Sequence, residues 1–355
     1  MFDHLEGNER AKETLRRMLR QGRVPGALLF AGGEGLGKKL FAVELARALN
    51  CRSRAGVEAC GKCPACVRAG KFNLPPADDA DANKQILWSE HRDVGMVRAA
   101  GRSIPVGVVR ELERETNFRP FEGAARVFIV DGADRLNEAS SNALLKTLEE
   151  VQPTSHLVLI TSRPASLLPT IRSRCQSIRF APLTVDEVER FLIDNGLRAG
   201  EEARLAAHLS GGRPGLAIEM NLDRYRAHRE EMLVIVEALA GDGDRGRLLR
   251  AAEDLSDAKH KEEFEPRLDV LEILVRDLWL LTLDPSAAHV VNYDLRARLS
   301  QTATRVDGRR AAGWIARIEK LREQLAVNVN RRVASDALLL SMADAPGRIS
   351  RESVS

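Results

Sequence analysis

Short apolar runs alternate with amphipathic stretches over the first half of the chain. The runs at 26–31, 126–131 and 156–161 are almost continuously apolar, which indicates parallel strands buried on both faces. A shorter run at 178–180 is predicted to be a last strand, and residues 138–150 have the apolar spacing of a helix. Strands that alternate with helices predict an α/β domain with a parallel sheet.

Two other stretches depart from this alternation. Residues 71–95, with paired prolines and an acidic patch, are predicted to be a loop outside the sheet. After Pro182 the strand pattern stops, and Thr184 and Glu187 form a capping box for a helix predicted to end at Gly196. Helical spacing then continues, with one apolar stripe at Trp314, Ile318, Leu321 and Leu325.

These patterns predict three domains. An α/β domain spans 1–181, a small helical domain 182–240 and a C-terminal helical bundle 241–347, while the tail 348–355 is expected to be disordered. The net charge of +3 gives no bulk electrostatic case for nucleic-acid binding. Without a signal pattern or a long apolar span, the chain is expected to be cytoplasmic, with no membrane contact.

The first predicted strand leads into a glycine-rich phosphate loop, residues 32–39. Gly32, Gly37 and Lys38 fit the motif G-x-x-x-x-G-K-[S/T], whose backbone N–H groups and lysine hold phosphates. The apolar residues after Lys38 are spaced as a helix, which is the context that this motif requires. The last position, however, is Lys39 instead of the hydroxyl that holds Mg²⁺. The loop therefore predicts nucleotide binding with impaired hydrolysis.

A second catalytic position is also altered. Asp131 ends an apolar strand, where a carboxylate of phosphate-loop ATPases helps to hold Mg²⁺. The next residue, Gly132, has no side chain that could polarise an attacking water. The alternative is that Asp131 only begins a turn or caps a helix near Asp134.

Four cysteines lie within sixteen residues, at Cys51, Cys60, Cys63 and Cys66. Paired C-x-x-C turns suit a closed tetrahedral Zn²⁺ shell, which makes a structural metal the favoured interpretation. An iron–sulfur cluster is the rival, because three closely spaced cysteines also suit one. Cys175 stands apart and is predicted to be a small packed residue.

Two arginine positions are ambiguous from the residues alone. Arg172 and Arg174 flank Ser173 after the third strand, where an ordinary solvated turn would look the same. Arg213 lies in a glycine-rich segment and could be only a linker residue.

Taken together, these motifs resemble the clamp-loader branch of the AAA+ ATPases. A four-cysteine insert directly after the phosphate-loop helix is specific to the bacterial clamp loader. Residues 142–150 resemble the helix that follows the Walker B strand, and 168–176 contain the Ser-Arg-Cys motif of the branch. The resemblance is strong over 1–220 and weak beyond, where 328–330 and the following helix are similar to the end of the collar domain. It implies an AAA+ P-loop sheet with a zinc-binding insert, a helical lid and an all-α collar.

The resemblance also implies residue roles. Lys38 and Asp131 match the Walker A lysine and the Walker B aspartate, Thr161 falls near sensor 1, and Arg213 matches sensor 2. Arg174 matches an arginine finger, which acts in trans on the ATP of a neighbouring subunit. The residues implied to contact ATP or ADP are Gly32, Gly35, Gly37, Lys38, Asp131, Thr161 and Arg213.

Lys39 and Gly132 depart from the active motor subunit, and the chain is shorter than a motor usually is. The resemblance therefore implies a stator, a largely non-hydrolysing subunit of the ring that loads the sliding clamp of DNA polymerase III. Its expected partners are gamma/tau-type and delta-type loader subunits, with the clamp and primed DNA reached through the complex. The alternatives are an ATP-hydrolysing motor subunit and an independent DNA-binding or repair AAA+ protein. Its own ATPase activity stays open, and no polymerase site is found.

Overall fold

The structure is a computed structural model that describes residues 2–53, 56–73, 84–99, 103–241, 245–256, 262–325 and 330–344. They form two compact units, one that ends at Glu219 and one that begins at Met220. The predicted tail 348–355 lies outside the described residues, as do 74–83 of the predicted loop and 328–329. The finer boundaries predicted at 181 and 240 stay predictions.

A six-stranded sheet forms the centre of the first unit. Its strands are β1 Ala27–Ala31, β2 Leu87–Trp88, β3 Val94–Arg98, β4 Arg126–Asp131, β5 Ser155–Thr161 and β6 Gln176–Arg179. The spatial order is β2-β3-β4-β5-β1-β6. Every neighbouring pair is parallel except β2 and β3. The four strands predicted from apolar runs are confirmed, and the chain has the predicted α/β architecture.

The prediction of a loop over 71–95 was wrong at its C-terminal end. There the antiparallel strand β2 and the first residues of β3 join the sheet. Gly95 interrupts the apolar pattern of β3. A larger residue would not fit there, because its Cβ would lie 2.8 Å from Cγ2 of Ile86. The glycine that permits this close packing is also what obscured the strand in the sequence.

Nine helices among the described residues complete the first unit. They are α1 Glu9–Arg20, α2 Lys38–Asn50, α3 Pro64–Ala69, α4 Val106–Thr116, α5 Glu138–Glu149, α6 Pro169–Arg174, α7 Val185–Asp194, α8 Gly200–Leu209 and α9 Pro214–Glu219. Alternate residues of β1 face opposite sides of the sheet. Leu28 and Phe30 pack in a core with α1 and α2, while Leu29 packs in a second core with α4, α5 and α6.

The capping box predicted for α7 is present. The Thr184 hydroxyl accepts from the Glu187 amide at 3.2 Å, and a Glu187 carboxylate oxygen accepts from the Thr184 amide at 2.7 Å. The helix ends at Asp194, two residues before the predicted Gly196. Just before α7, the Leu183 amide donates to the Gly212 carbonyl at 2.8 Å, and this bond connects the start of α7 to the residues before α9.

The second unit is helical in its described residues. Its helices are α10 Leu222–Ala240, α11 Arg245–Leu255, α12 Phe264–Leu283, α13 Arg296–Ala303, α14 Gly308–Leu325 and α15 Arg331–Ala343. Of the apolar stripe predicted on α14, Trp314, Ile318 and Leu321 are buried and Leu325 is half-buried. The Trp314 indole donates to the Met342 carbonyl of α15 at 2.8 Å. Within the described residues, no helix combines the length and apolarity that a membrane crossing requires.

Candidate nucleotide and metal sites

The phosphate loop joins β1 to α2, as its sequence context requires. Gly35 and Gly37 have φ of 74° and 77°, a backbone conformation that residues with a Cβ rarely adopt. A Cβ at Gly35 would also lie 3.1 Å from the Leu216 amide nitrogen. Because α2 begins at Lys38, the free N–H groups of its first turn open toward the loop, where a phosphate would be stabilised.

Lys38 lies inside the loop rather than in solvent. Its Nζ donates to the Gly32 carbonyl at 2.7 Å and also to the Gly33 carbonyl. Lys38 is only 7% exposed. Burial lowers the pKa of its ammonium, against an opposing attraction from Asp131. The loop therefore fixes a cation at the point where the motif expects the terminal phosphates.

Lys39 pairs directly with Asp131. Its Nζ lies 3.4 Å from Oδ2 of Asp131, with side-chain exposures of 41% and 27%. In a phosphate-loop ATPase, both positions would supply oxygen ligands to Mg²⁺. Here position 39 supplies an ammonium instead of an oxygen, and that ammonium is paired with the carboxylate of Asp131. This donor set does not suit Mg²⁺, which prefers oxygen ligands.

Thr161 and Asp134 form a second polar pair in the same region. β5 lies between β1 and β4, so Thr161 at its end lies between the phosphate loop and Asp131. The Thr161 hydroxyl donates to Oδ1 of Asp134 at 2.9 Å, and Arg163 donates to Oδ2 at 3.0 Å. Burial opposes ionisation of Asp134, but the bonds from Arg163 and Thr161 outweigh it and lower its pKa.

Asp134 is the site residue that sequence reasoning missed. The sequence indicates only a nearby helix start at this position, whereas in the structure Asp134 lines the cavity and its carboxylate accepts a hydrogen bond from Thr161. The signal available was its position, three residues after Asp131 at the carboxyl end of the same strand, where ligands collect in open α/β sheets.

A cavity of about 750 Å³ opens in front of the phosphate loop. This volume lies within the range of small-molecule sites, which is roughly 300–1,000 Å³. Residues 34–39, Asp131 and Thr161 form part of its lining. The rest of the lining includes apolar side chains, namely Leu5, Leu40, Phe41, Phe191 and Ile218. The cavity thus combines a phosphate cradle with an apolar wall.

Arg213, which the resemblance matches to sensor 2, lies beside the phosphate loop. Its Nε donates to the Ser210 carbonyl at 2.7 Å. A Cβ at Gly33 would lie 3.8 Å from Cδ of Arg213. Two residues on, the Gly215 amide donates to the Gly35 carbonyl at 2.9 Å, so the start of α9 is bonded to the loop. The role of Arg213 toward a nucleotide stays a prediction.

Arg174 is the last residue of α6, and it is not among the described residues that line the cavity in front of the phosphate loop. Its guanidinium pairs with Oε1 of Glu149 at 2.5 Å and also donates to the Thr170 carbonyl at 3.1 Å. The Arg174 side chain is 37% exposed. The Arg174 guanidinium is therefore partly accessible to solvent. Its action in trans stays a prediction.

The four predicted metal ligands converge. Their Sγ atoms all lie within 4.8 Å of one another, with Cys63–Cys66 at 3.4 Å and Cys51–Cys63 and Cys60–Cys66 at 4.0 Å. A tetrahedral zinc with Zn–S bonds of about 2.3 Å would place its sulfurs roughly 3.8 Å apart. The cluster could therefore hold a metal ion, and its geometry is consistent with zinc.

The local backbone favours the thiolate form at Cys63, whereas burial raises the pKa of Cys66. Burial opposes ionisation of Cys63, but hydrogen bonds from the Cys66 and Arg52 backbone outweigh it and lower the Cys63 pKa to about 6. The Cys60 amide donates to Sγ of Cys51 and the Cys63 amide to Sγ of Cys60, each at 3.3 Å. Cys175 is different: it lies in the core, and burial raises its pKa to about 11. It is the packed residue that the sequence predicted.

The phosphate loop between β1 and α2, with Asp131 at the end of β4 in the same parallel sheet, gives the chain the architecture of a P-loop protein. The family model described as "DNA polymerase III, delta subunit" matches residues 7–184. The chain belongs to this family of DNA polymerase III subunits.

Curated relatives agree with the family match. DNA polymerase III subunit delta' of Escherichia coli is 30% identical, over 92% of this chain and 92% of the relative. Subunit delta' of Bacillus subtilis is 26% identical, over 94% of this chain and 96% of the relative. Subunit gamma/tau of Mycobacterium tuberculosis is 36% identical over only 50% of this chain and 28% of its own length. Both delta' subunits match over more than nine-tenths of this chain, and the resemblance to clamp-loader proteins is confirmed.

Proposed function

We propose that this chain works as a delta-prime-type subunit of a clamp loader and hydrolyses little or no ATP itself. The Lys39–Asp131 ion pair is the observation that carries the proposal, because it fills the metal position of the hydrolytic site with a side chain. Without Mg²⁺, the charge that develops on the transferred phosphoryl group loses its main stabilising cation. The full-length similarity to delta' subunits supports the same role.

Gly132 supports the proposal independently. A motor would need a carboxylate here to polarise water, but the backbone of Gly132 lies at φ 85° and ψ 44°. Residues that carry a Cβ are strained in this left-handed region of the backbone. A Cβ would also lie 3.1 Å from Cβ of Ala99. Position 132 therefore has no carboxylate in the sequence, and its backbone conformation also disfavours a residue that would carry one.

Arg174 is the residue proposed to act on another subunit. An arginine finger places its guanidinium against the γ-phosphate bound by a neighbour and stabilises the transition-state charge. Arg174 suits this task because it is partly exposed and held by an exposed partner, Glu149, which it could exchange for phosphate oxygens. Charge-assisted bonds to phosphate are among the strongest that a guanidinium makes.

The remaining assignments complete the proposal. We propose that the phosphate loop binds ATP or ADP, with Thr161 and Arg213 near the terminal phosphates, and that the four cysteines hold one structural Zn²⁺. The metal would stabilise the segment between α2 and α3 by closing its chain around four thiolates. We further propose that 182–240 acts as the lid and 241–347 as the collar that contacts gamma/tau-type and delta-type subunits. The clamp and primed DNA would be engaged through the assembled ring.

Reconstitution tests the proposal. The full chain is mixed with gamma/tau-type and delta-type loader subunits, and complex formation and ATP hydrolysis are measured with and without it. We expect co-purification and a higher loader ATPase rate when the chain is included, with background turnover by the chain alone. Ordinary Mg·ATP turnover by the isolated chain, lost on Lys38→Ala, would instead establish a motor. Tight binding of primed DNA without partners would favour an independent DNA-binding protein.

A further inference from the structure

We propose that Lys39 takes the place of Mg²⁺, so that the phosphate loop binds a nucleoside di- or triphosphate without a divalent cation. This inference rests on the proposed non-hydrolysing function, because a site that performs no phosphoryl transfer needs a counterion for its ligand but no catalytic metal. It concerns the ligand species at the chain's own cavity and is independent of Arg174.

The position of Lys39 suits a built-in counterion. It lies in the first turn of α2, directly after Lys38, so two ammonium groups and the free N–H groups of the helix start face one cradle. The Nζ of Lys39 is 3.4 Å from Asp131, and its side chain is 41% exposed. The long side chain can therefore contact a phosphate oxygen while it remains beside the carboxylate.

The same arrangement disfavours a metal. Mg²⁺ in nucleotide sites is usually held by one or two protein oxygens together with phosphate oxygens and water. Position 39 offers no oxygen, and Asp131 is already paired with a cation. Asp134 is bonded to Thr161 and Arg163 and would have to break both contacts to act as a ligand. A divalent ion here would also lie next to the Lys39 ammonium, which repels it.

The ligand class follows from the apolar part of the cavity lining. Leu5, Phe41 and Phe191 form part of its lining, and the lining residues Leu40 and Ile218 are 56% and 42% exposed. Large apolar side chains that are exposed beside a cavity are common features of binding sites. A free phosphate would leave this wall uncovered, whereas the base and ribose of a nucleotide would cover it.

Equilibrium binding of ATP and ADP to the full-length chain tests the inference. Titrations are run calorimetrically in excess Mg²⁺ and in EDTA at matched ionic strength, for the wild type and for Lys39→Thr. For the wild type we expect dissociation constants that agree within about twofold in the two buffers. Lys39→Thr restores the hydroxyl and frees Asp131, so its binding should become about tenfold or more tighter in Mg²⁺ than in EDTA.

Three outcomes overturn the inference. They are wild-type binding about tenfold tighter with Mg²⁺, no nucleotide binding in either buffer, and no gain of Mg²⁺ dependence in a folded Lys39→Thr. As a second variant, Lys39→Gln removes the cation without supplying the hydroxyl and should weaken binding in both buffers. Lys38→Ala should abolish binding, and inorganic phosphate should bind more weakly than ADP. A failure here leaves the reconstitution result untouched, which separates this inference from the proposed function.

Discussion

At positions 39 and 131 the chain holds opposite charges where a phosphate-loop ATPase holds a metal ion between oxygen ligands. Both side chains are partly exposed, and such pairs stabilise a fold by about 0–1 kcal/mol. The pair therefore contributes little to stability, and its consequence lies in the charge that it places in the cavity. Gly132 adds a second change at the same strand end.

The left-handed backbone of Gly132 gives a direct prediction. Gly132→Ala should lower the free energy of unfolding by about 1–2 kcal/mol, because an L-residue is strained at positive φ. Denaturant unfolding measures the change. The matched control is Gly107→Ala in α4, where φ is not positive and a new Cβ meets nothing within 4 Å. The control should be neutral or stabilising, and an equally stable Gly132→Ala would refute the strain argument.

At this scale the sequence predicted the residues but not their pairings. Gly32, Gly37 and Lys38 follow from a motif whose geometry is local. The contact between Lys39 and Asp131 spans 92 positions and depends on strand order, which no local pattern encodes. The same holds for Thr161 with Asp134 and for Arg174 with Glu149. Each pair forms only after the sheet has brought distant strand and helix ends together.

Among the elements, burial explains which ones the sequence revealed. β1, β4 and β5 are covered on both faces, so they appear as continuous apolar runs. β2 has only two residues and β3 contains Gly95, and all of β2 and the first two residues of β3 fall in the stretch predicted to be a loop. The cysteine cluster was predictable because three ligands come from one short turn-and-helix segment. The α2 end then brings Cys51 to them.

The cysteine segment carries its own prediction. Metal analysis of the purified chain should find one zinc per chain, and Cys60→Ser should lose the metal and lower the melting temperature, because three thiolates bind zinc more weakly than four. Cys175→Ser is the control and should keep one zinc, since Cys175 lies apart in the core. Iron in place of zinc would support the cluster alternative, and a metal-free wild type would reject the site.

On the scale of the whole molecule, the first unit holds the Lys39–Asp131 ion pair at the phosphate loop together with a partly exposed arginine, Arg174, on α6. In the proposed function, Arg174 would complete the nucleotide site of a neighbouring subunit. The family membership and the full-length delta' relatives fit this division of work.

The measurement that tests the central claim most directly is the ATPase rate of a reconstituted loader that contains variants of this chain. Arg174→Ala should lower hydrolysis at the affected neighbouring site on the order of 10³-fold. Arg172→Ala, at an exposed arginine on the same helix, should have little effect. Lys38→Ala should leave the rate nearly unchanged, because in the proposed function this chain contributes no ATP hydrolysis of its own. An unchanged rate with Arg174→Ala, or a collapse with Lys38→Ala, would contradict the account.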